Sequence, residues 1–538
     1  MALPPNLSQA EFNRALNEFE NVVGADWVFS SDADVALYRD SYSPFWGEAE
    51  ERIASAAVAP KSVEEVQEIV RIANRYRIPL YPISTGRNLT YGGAAPTLSG
   101  SVVLDLKRMN RILEVNDERN YALVEPGVSY FDLYNYITER GLNVMLDIPD
   151  PGWGSPMGNS LDHGVGYTMG PYRDHFGSHI GLEIVSAEGE LIRTGAGAIP
   201  GSDAWQDFHY GAGPSIDGLF AQSNFGIVTK MGVKLMPMPE TYMTVTVTVP
   251  RYQDFQAMIT EVNYLEDSML VGMPTYGSPV GGGLFDPAPL TELMQNGWPT
   301  TEQLEDFVSA QNKHAWSVSF QLYGPEEIVR ATWVAIQRRF SEKIPESAFE
   351  EDVFYNLPIP AEDIPALPDK ARLGIPNLEI FHIVNRNPMN DNDPPDGHAD
   401  MFTMTPRTAE GVHTASKVLA EAYQEFGFAP ATHPFTTPIT FYSRAFVVAV
   451  LIPTWRDPAK NAVSRALYEK CLDKIAEQGM GTYRTNPAFQ ERAISKYSFN
   501  DNALLKYQEK LKDSIDPNGI ISPGRYGIWP AHMRNNRG

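Results

Sequence analysis

The chain has 538 residues, with 43 Lys or Arg against 67 Asp or Glu, so its formal net charge at pH 7 is −24. This acidic balance lacks the basic footprint of nucleic-acid and anionic-membrane binders, and we expect neither as a partner. The single cysteine, Cys471, excludes an intrachain disulfide and a cysteine-based zinc site. The length predicts more than one domain, and 43% hydrophobic residues allow a sizeable core.

The N-terminal sequence has neither the basic nor the apolar region of a signal peptide. The apolar run at residues 445–452 is too short to span a bilayer and is typical of a buried strand. The last residues do not form a peroxisomal SKL signal. We therefore expect a soluble cytoplasmic protein.

The first half of the chain alternates helices and strands with short links. A capping box at Ser62 and Glu65 predicts a helix whose apolar residues recur at helical spacing. Pro79 ends this helix and a strand follows. The predicted elements are strands at 80–83, 102–106 and 121–125, a helix at 130–140, a hairpin at 181–195 and a strand at 226–236.

The character of the sequence changes after residues 237–239, Pro-Met-Pro, and a domain boundary is predicted near residue 240. Polar and apolar residues alternate at 244–249, as in a half-buried strand. Residues 385–397 are rich in Asn, Asp and Pro and predict a loop. Helices are predicted at 325–340, 409–426, 459–479 and 504–515.

Several common catalytic motifs are missing. There is no P-loop, no H-E-x-x-H and no G-x-S-x-G sequence. Gly164 and Gly166 lack the third spaced glycine of a Rossmann fingerprint. His175 and His179 are four residues apart, but Gly177 lies between them and no acidic partner is evident, so no metal site is predicted.

A glycine-rich loop follows the predicted strand at 80–83. Its sequence, residues 84–93, is STGRNLTYGG. Small residues there can turn several backbone N–H groups toward one anion, and a pyrophosphate is the natural ligand. The alternative is an ordinary turn between a strand and a helix.

Four further small-residue segments accompany this loop: residues 149–159, PDPGWGSPMGN; 164–168, GVGYT; 220–230, FAQSNFGIVTK; and 522–529, SPGRYGIW. Together the five segments resemble the FAD-binding pattern of the vanillyl-alcohol oxidase family, most closely its 4-phenol-oxidising branch. The resemblance extends over about residues 55–240 and 480–530 and weakens between them.

The resemblance implies an α+β protein of two domains. An FAD-binding domain would comprise residues 1–240 and 488–538, and an inserted cap domain residues 241–487. His398 would bond covalently to the flavin 8α-methyl group, with noncovalent FAD as the alternative. The other residues expected to hold FAD are Ser84, Thr85, Gly86, Arg87, Asn88, Gly92, Gly158, Asn159, Gly164, Gly226, Ile227, Val228 and Arg525.

The same resemblance implies a site that binds its substrate as a phenolate. Such a site needs hydrogen-bond donors and a positive charge in a dry pocket. Tyr91, Tyr483 and Arg484 match the family's phenolate-binding residues, although Tyr483 and Arg484 alone would be read as a surface dipeptide. Asp150 matches the aspartate near flavin N5, with Asp147 as a competing choice. The remaining expected pocket residues are Tyr167 and His433.

The implied activity is oxidation of para-substituted phenols: 4-alkylphenols, 4-hydroxybenzyl alcohols or allylphenols. Hydride would pass from the benzylic carbon to flavin N5 through a p-quinone methide, and dioxygen would become hydrogen peroxide. One alternative is a dehydrogenase that passes electrons to a cytochrome, and another is a flavin-binding protein without turnover. The family also implies a homodimer or larger homo-oligomer.

Overall fold

A computed structural model describes residues 2–281, 292–294, 297–311, 313–382, 393–428 and 438–536. Its helices are α1 Gln9–Val23, α2 Asp32–Ala36, α3 Val63–Tyr76, α4 Tyr130–Arg140, α5 Pro156–Leu161, α6 Gly170–Arg173, α7 Phe255–Asp267, α8 Thr301–Ala310, α9 Glu326–Lys343, α10 Ala409–Glu425, α11 Pro458–Glu477, α12 Gln490–Ile494 and α13 Phe499–Ile515.

The strands are β1 Val28–Phe29, β2 Ala56–Val58, β3 Leu80–Ile83, β4 Val102–Asp105, β5 Ile112–Asn116, β6 Tyr121–Val124, β7 Val144–Met145, β8 His179–Val185, β9 Leu191–Arg193, β10 Ile227–Lys234, β11 Met236–Pro237, β12 Thr241–Val249, β13 Thr275–Gly277, β14 Trp316–Gly324, β15 Ala348–Asn356, β16 Gly397–Thr405, β17 Ile439–Tyr442, β18 Ala445–Thr454 and β19 Gly481–Thr485.

Two sheets occupy the first part of the chain. One has the order β1-β2-β4-β3, in which β2, β4 and β3 are parallel. The other is antiparallel, with the order β5-β6-β10-β8-β9. The C-terminal segment docks against β3, since Ile521 bridges to Leu80 and both are buried in one apolar core with α1 and α3. The two ends of the chain therefore pack together.

The later part of the chain builds an eight-stranded antiparallel sheet with the order β15-β12-β14-β13-β17-β18-β16-β19. Alternate residues of β12, including Val245, Val247 and Val249, are buried because one face of the strand meets α7 and the rest of a large apolar core. These strands run from residue 241 to residue 485. The domain division at 240 and 488 stays a prediction, and this sheet is consistent with it.

The α+β class predicted from the sequence is confirmed, and the predicted helices and strands lie close to the observed ones. The capping box is only half formed. Ser62 Oγ accepts from the Glu65 N–H, but the Glu65 carboxylate accepts from the Lys61 N–H at 2.8 Å rather than from Ser62. No helix among the described residues is long and apolar enough to cross a membrane.

Candidate active site

A cavity of about 690 Å³ lies between the first part of the chain, with its two sheets, and the later part, with the eight-stranded sheet. Its wall includes the loop after β3, the segment that leads into α5, the start of β10 and the C-terminal segment. The eight-stranded sheet contributes residues of β16, β17 and β19. Segments far apart in sequence therefore converge on one cavity.

The glycine-rich loop forms one part of this wall. Gly86 has φ +66°, a left-handed conformation that other residues adopt at a cost, and this lets the chain turn directly after β3. At Gly158, the second residue after the start of α5, a Cβ atom would lie 2.1 Å from Ser84 Oγ. Glycine at this position therefore allows the helix to approach the loop closely.

Asp162 joins three side chains from distant segments. Its carboxylate accepts from Arg484 Nε, Arg525 Nη2 and Asn88 Nδ2, each at 2.9 Å. Burial raises the pKa of Asp162, but the charges of the two arginines outweigh it and hold the pKa below its ordinary value. Two guanidinium groups and one carboxylate leave a net charge of +1 in the wall.

Arg484 lies between this carboxylate and an aromatic group. Its Cζ is 3.9 Å from the centroid of the Tyr91 ring, and its Nη2 donates to Asn88 Oδ1 at 3.0 Å. Burial lowers the pKa of Arg484, but Asp162 more than offsets this, so the pKa lies above its ordinary value. The guanidinium therefore stays charged.

Tyr91 and Tyr483 flank this charge at the cavity. Phe402 lies between them, with ring centroids 6.4 Å from Tyr91 and 5.7 Å from Tyr483. Burial raises the pKa of both tyrosines above the ordinary value, and Arg484 only partly opposes this. Both hydroxyls thus remain protonated and can donate hydrogen bonds to an anion.

Asp150 also faces the cavity, and Tyr167 Oη donates to its Oδ2 at 2.5 Å. The Asp150 side chain is exposed to the cavity, but desolvation by the surrounding protein raises its pKa, and the hydrogen bond from Tyr167 offsets this only in part. Arg372 lies in the same part of the wall and bonds to Thr275 Oγ1 at 2.8 Å. A carboxylate of raised pKa is a better proton acceptor than an ordinary one.

Comparison with known proteins shows to which family this chain belongs. Residues 54–195 match the FAD binding domain profile. The chain is 32% identical to the 4-cresol dehydrogenase [hydroxylating] flavoprotein subunit of Pseudomonas putida, over 98% of this chain and 97% of that protein. The chain belongs to the vanillyl-alcohol oxidase family of 4-phenol-oxidising flavoproteins.

Two solved structures of this kind cover the whole chain. One is a 4-ethylphenol oxidase from Gulosibacter chungangensis in complex with isoeugenol, with a TM-score of 0.80 and 32% identity over 99% of this chain and 100% of that one. The other is a p-cresol methylhydroxylase with substrate bound, with a TM-score of 0.81 and 31% identity over 100% of both chains. The protein is thus an FAD-dependent oxidoreductase of phenol-oxidising type, and the predicted cofactor is confirmed.

Proteins of the vanillyl-alcohol oxidase family bind FAD, and the residues that line the cavity fit this cofactor. Among the described residues, five buried polar atoms of the wall have no protein partner: Trp153 Nε1, Ser223 Oγ, Arg372 Nε, His398 Nδ1 and Asp400 Oδ1. A buried polar group without a partner is costly, so these atoms are consistent with a polar ligand. At Gly226, which lines the cavity, a Cβ would lie 2.6 Å from Ile184 Cγ2, so glycine lets the wall pack closely there.

Most residues predicted for FAD line the cavity: Ser84, Thr85, Gly86, Arg87, Asn88, Gly158, Asn159, Gly226, Ile227, Val228, Arg525 and His398. Two do not. A Cβ at Gly92 would meet Pro487 at 2.6 Å, and one at Gly164 would meet Asn159 Oδ1 at 1.7 Å, so these glycines permit close packing of the protein and we propose no flavin contact for them.

The two candidate aspartates have different surroundings, and only Asp150 lines the cavity. Asp147 is buried behind the wall, where it accepts from the Thr168 N–H and pairs with His175 Nε2, both at 2.8 Å. His179 bonds to a different carboxylate, that of Asp217. His433 lies outside the described residues.

Sequence reasoning missed Asp162, Arg372 and Asp400, which all line the cavity. Asp162 stands between the segments at 149–159 and 164–168, and that position is a signal that could have been used. Asp400 is two residues after His398, and strand alternation could have placed both on one face, whereas Arg372 lies near no recognised segment.

Proposed function

We propose that the protein is an FAD-dependent oxidase of para-substituted phenols, with dioxygen as the electron acceptor and hydrogen peroxide as a product. The substrates are 4-alkylphenols, 4-hydroxybenzyl alcohols or allylphenols. One observation carries the proposal: Arg484 stays charged at the cavity wall, against the Tyr91 ring and next to Tyr483 in the chain.

Arg484 and the two tyrosines would bind the substrate as its phenolate. A phenol loses its proton more easily where a fixed positive charge and hydrogen-bond donors face the oxygen. The Asp162–Arg484–Arg525 cluster has a net charge of +1, so part of this charge is available to the ligand. A phenolate donates electrons into the ring, which favours loss of hydride from the para benzylic carbon.

FAD, when bound, accepts the hydride from that carbon. The residues proposed to hold it are the loop at 84–88, Gly158 and Asn159 of α5, residues 226–228 and Arg525. Arg87 and Trp153 form part of the same wall, with Arg87 Cζ 5.3 Å from the Trp153 ring. Phe402 and Phe441 line the cavity with apolar surface that excludes water from the substrate ring.

Asp150 is proposed to act on the oxidised substrate. Loss of hydride turns the phenolate into a p-quinone methide, and water adds to its benzylic carbon. The Asp150 carboxylate can take the proton of that water, and Tyr167 holds the carboxylate in place. The products are 4-hydroxybenzyl alcohols from alkylphenols and aldehydes from benzylic alcohols.

Replacing Tyr483 by phenylalanine is expected to lower kcat/KM for 4-ethylphenol by about 10- to 100-fold, because a hydrogen bond to a charged group is worth about 1.5–3 kcal/mol. Steady-state peroxide release at several pH values measures this. Tyr442→Phe is the matched control: its ring packs at 5.3 Å against Tyr483, while its hydroxyl donates to the His163 carbonyl. Equal losses in both variants would contradict the role of Tyr483.

Replacing Asp150 by asparagine is expected to lower kcat by about 100-fold, because the general base is lost. The pH profile gives a sharper result. The pKa of Asp150 is raised, so wild-type activity should fall on acidification at a higher pH than for a carboxylate with the ordinary pKa. This acidic limb should be absent in Asp150→Asn, and its survival there would contradict the assignment. Asp147→Asn, behind the wall, should keep the limb.

A dehydrogenase that passes electrons to a cytochrome is the second candidate. It is favoured by the similarity to the 4-cresol dehydrogenase flavoprotein subunit. Anaerobic reduction with 4-ethylphenol followed by addition of air separates the two. Rapid reoxidation with one peroxide per flavin supports the oxidase, and slow reoxidation that cytochrome c accelerates supports the dehydrogenase.

A peroxide assay over vanillyl alcohol, eugenol and 4-ethylphenol tests the function as a whole. Turnover of at least one of these phenols is expected. A purified protein that takes up FAD but reduces it with none of the three would overturn the proposal.

A further inference from the structure

Three residues of β16 line the cavity in alternation: His398, Asp400 and Phe402. Successive side chains of a strand point to opposite faces, so these three share one face and project into one space. Pairing of β16 with β18 and β19 on its two sides holds this face in place. Asp400 is thereby placed directly beside His398.

His398 is held on two sides. Its Nε2 lies 3.5 Å from Asp400 Oδ1, and its ring centroid is 5.2 Å from that of Tyr42. A Cβ at Gly397 would lie 2.3 Å from Tyr42 Cδ1, so the glycine before His398 lets the tyrosine approach. Within the described part of the chain, His398 Nδ1 and Asp400 Oδ1 have no hydrogen-bond partner. These two polar atoms of the pair are therefore available to a ligand in the cavity.

Hydrogen bonds on both sides anchor the backbone of Asp400. Its N–H donates to Thr90 Oγ1 at 2.8 Å, and its carbonyl accepts from Tyr468 Oη at 3.0 Å. Burial raises the pKa of the Asp400 carboxyl, and His398, Thr90 and Arg484 oppose this only in part. The titratable groups that face it are His398, Tyr91, Tyr468, Tyr483 and Arg484.

We propose that Asp400 is the base that activates His398 for covalent attachment of FAD. This inference rests on the proposed function and on the covalent FAD link that the family resemblance implies for His398. Asp400 takes the ring N–H proton of His398, and the freed imidazole nitrogen forms one C–N bond to the 8α-carbon, whose methyl group loses one proton. Two electrons pass to the flavin. Dioxygen then takes these electrons and two protons as hydrogen peroxide, which restores the oxidised cofactor.

The test is the rate at which apoprotein becomes covalently flavinylated after FAD is added. It is measured by the mass and in-gel fluorescence of the denatured protein over a range of pH. We expect Asp400→Asn to take up one FAD per chain but to form the covalent bond about 100-fold more slowly. Asp400→Glu should recover part of the rate. His398→Ala should bind FAD without any covalent bond.

Asp396→Asn is the matched control, because Asp396 is exposed, precedes β16 and accepts from the Arg456 N–H outside the cavity. It should flavinylate as the wild type does. Covalent attachment in Asp400→Asn at the wild-type rate would overturn the proposal. So would a wild-type rate that does not rise with pH, and this second measurement needs no variant to fold.

Failure of this inference is distinguishable from failure of the proposed function. Wild-type protein that oxidises phenols with dissociable FAD would leave the oxidase function intact and exclude the role of Asp400. Protein that is covalently flavinylated but oxidises no phenol would exclude the oxidase function and leave the role of Asp400 intact.

Discussion

Replacing Arg484 by alanine is expected to lower kcat/KM for 4-alkylphenols by about 1,000-fold, the upper range for loss of one preorganised charge-stabilising group. Arg484 is the charged group proposed to face the phenolate oxygen, and it lies 3.9 Å from the Tyr91 ring. The protein should still fold, since Arg525 remains as a charged partner of Asp162. The apparent pKa for binding a phenolic inhibitor should rise, because the unprotonated form loses its cation.

Steady-state peroxide release and inhibitor titrations at several pH values measure these effects. Arg484→Lys should recover part of the activity, because it keeps the charge but loses the second hydrogen bond, to Asn88. Arg338→Ala, on an exposed face of α9, is the control and should change nothing. If Arg484→Ala binds FAD and keeps wild-type activity, Arg484 does not bind the phenolate.

Replacing Asp162 by alanine is expected to destabilise the apoprotein by about 3–5 kcal/mol, because it leaves two largely buried guanidinium groups without their carboxylate. Arg484 and Arg525 approach Asp162 from segments more than 300 residues away in sequence. The loss should therefore weaken the contact between the C-terminal segment, β19 and the segment before β8. FAD binding should weaken with it, since Arg525 and Asn88 line the cavity.

Thermal unfolding of the apoprotein and FAD titration measure this effect. Glu68→Ala is the matched control: Glu68 pairs with Arg71, and both side chains are more than 40% exposed. Exposed pairs contribute only about 0–1 kcal/mol, so this variant should unfold close to the wild-type temperature. An Asp162→Ala protein with unchanged unfolding temperature and FAD affinity would show that the cluster is not a structural centre.

Local sequence patterns predicted the elements that position the site. Residues 80–83 form β3, and the glycine-rich segment after them forms a wall of the cavity. The hairpin predicted around residues 187–189 is formed by β8 and β9. These features depend on neighbours in the chain, namely periodicity, glycine and proline positions and turn residues, and so they are visible in the sequence alone.

Asp150 and Asp147 show the limit of prediction from local sequence patterns. Both are carboxylates near a turn, and local sequence patterns do not separate them, although the family resemblance favours Asp150. Asp147 pairs with His175 behind the wall, whereas Asp150 faces the cavity and bonds to Tyr167. Gly92 and Gly164 show the same limit, because each is required by a side chain, Pro487 or Asn159, that packs against it in the folded chain.

The sequence by itself determined the α+β class, most element positions and, through five separated segments, the FAD-binding family. It also named Arg484 as the place to look for positive charge in a chain of net charge −24. Only the tertiary structure showed that Asp162 joins Arg484 to Arg525 and that Asp400 lies beside His398 at the cavity. The physical reason is that charge pairing and burial depend on distance in space, and these depend on how segments hundreds of residues apart pack together.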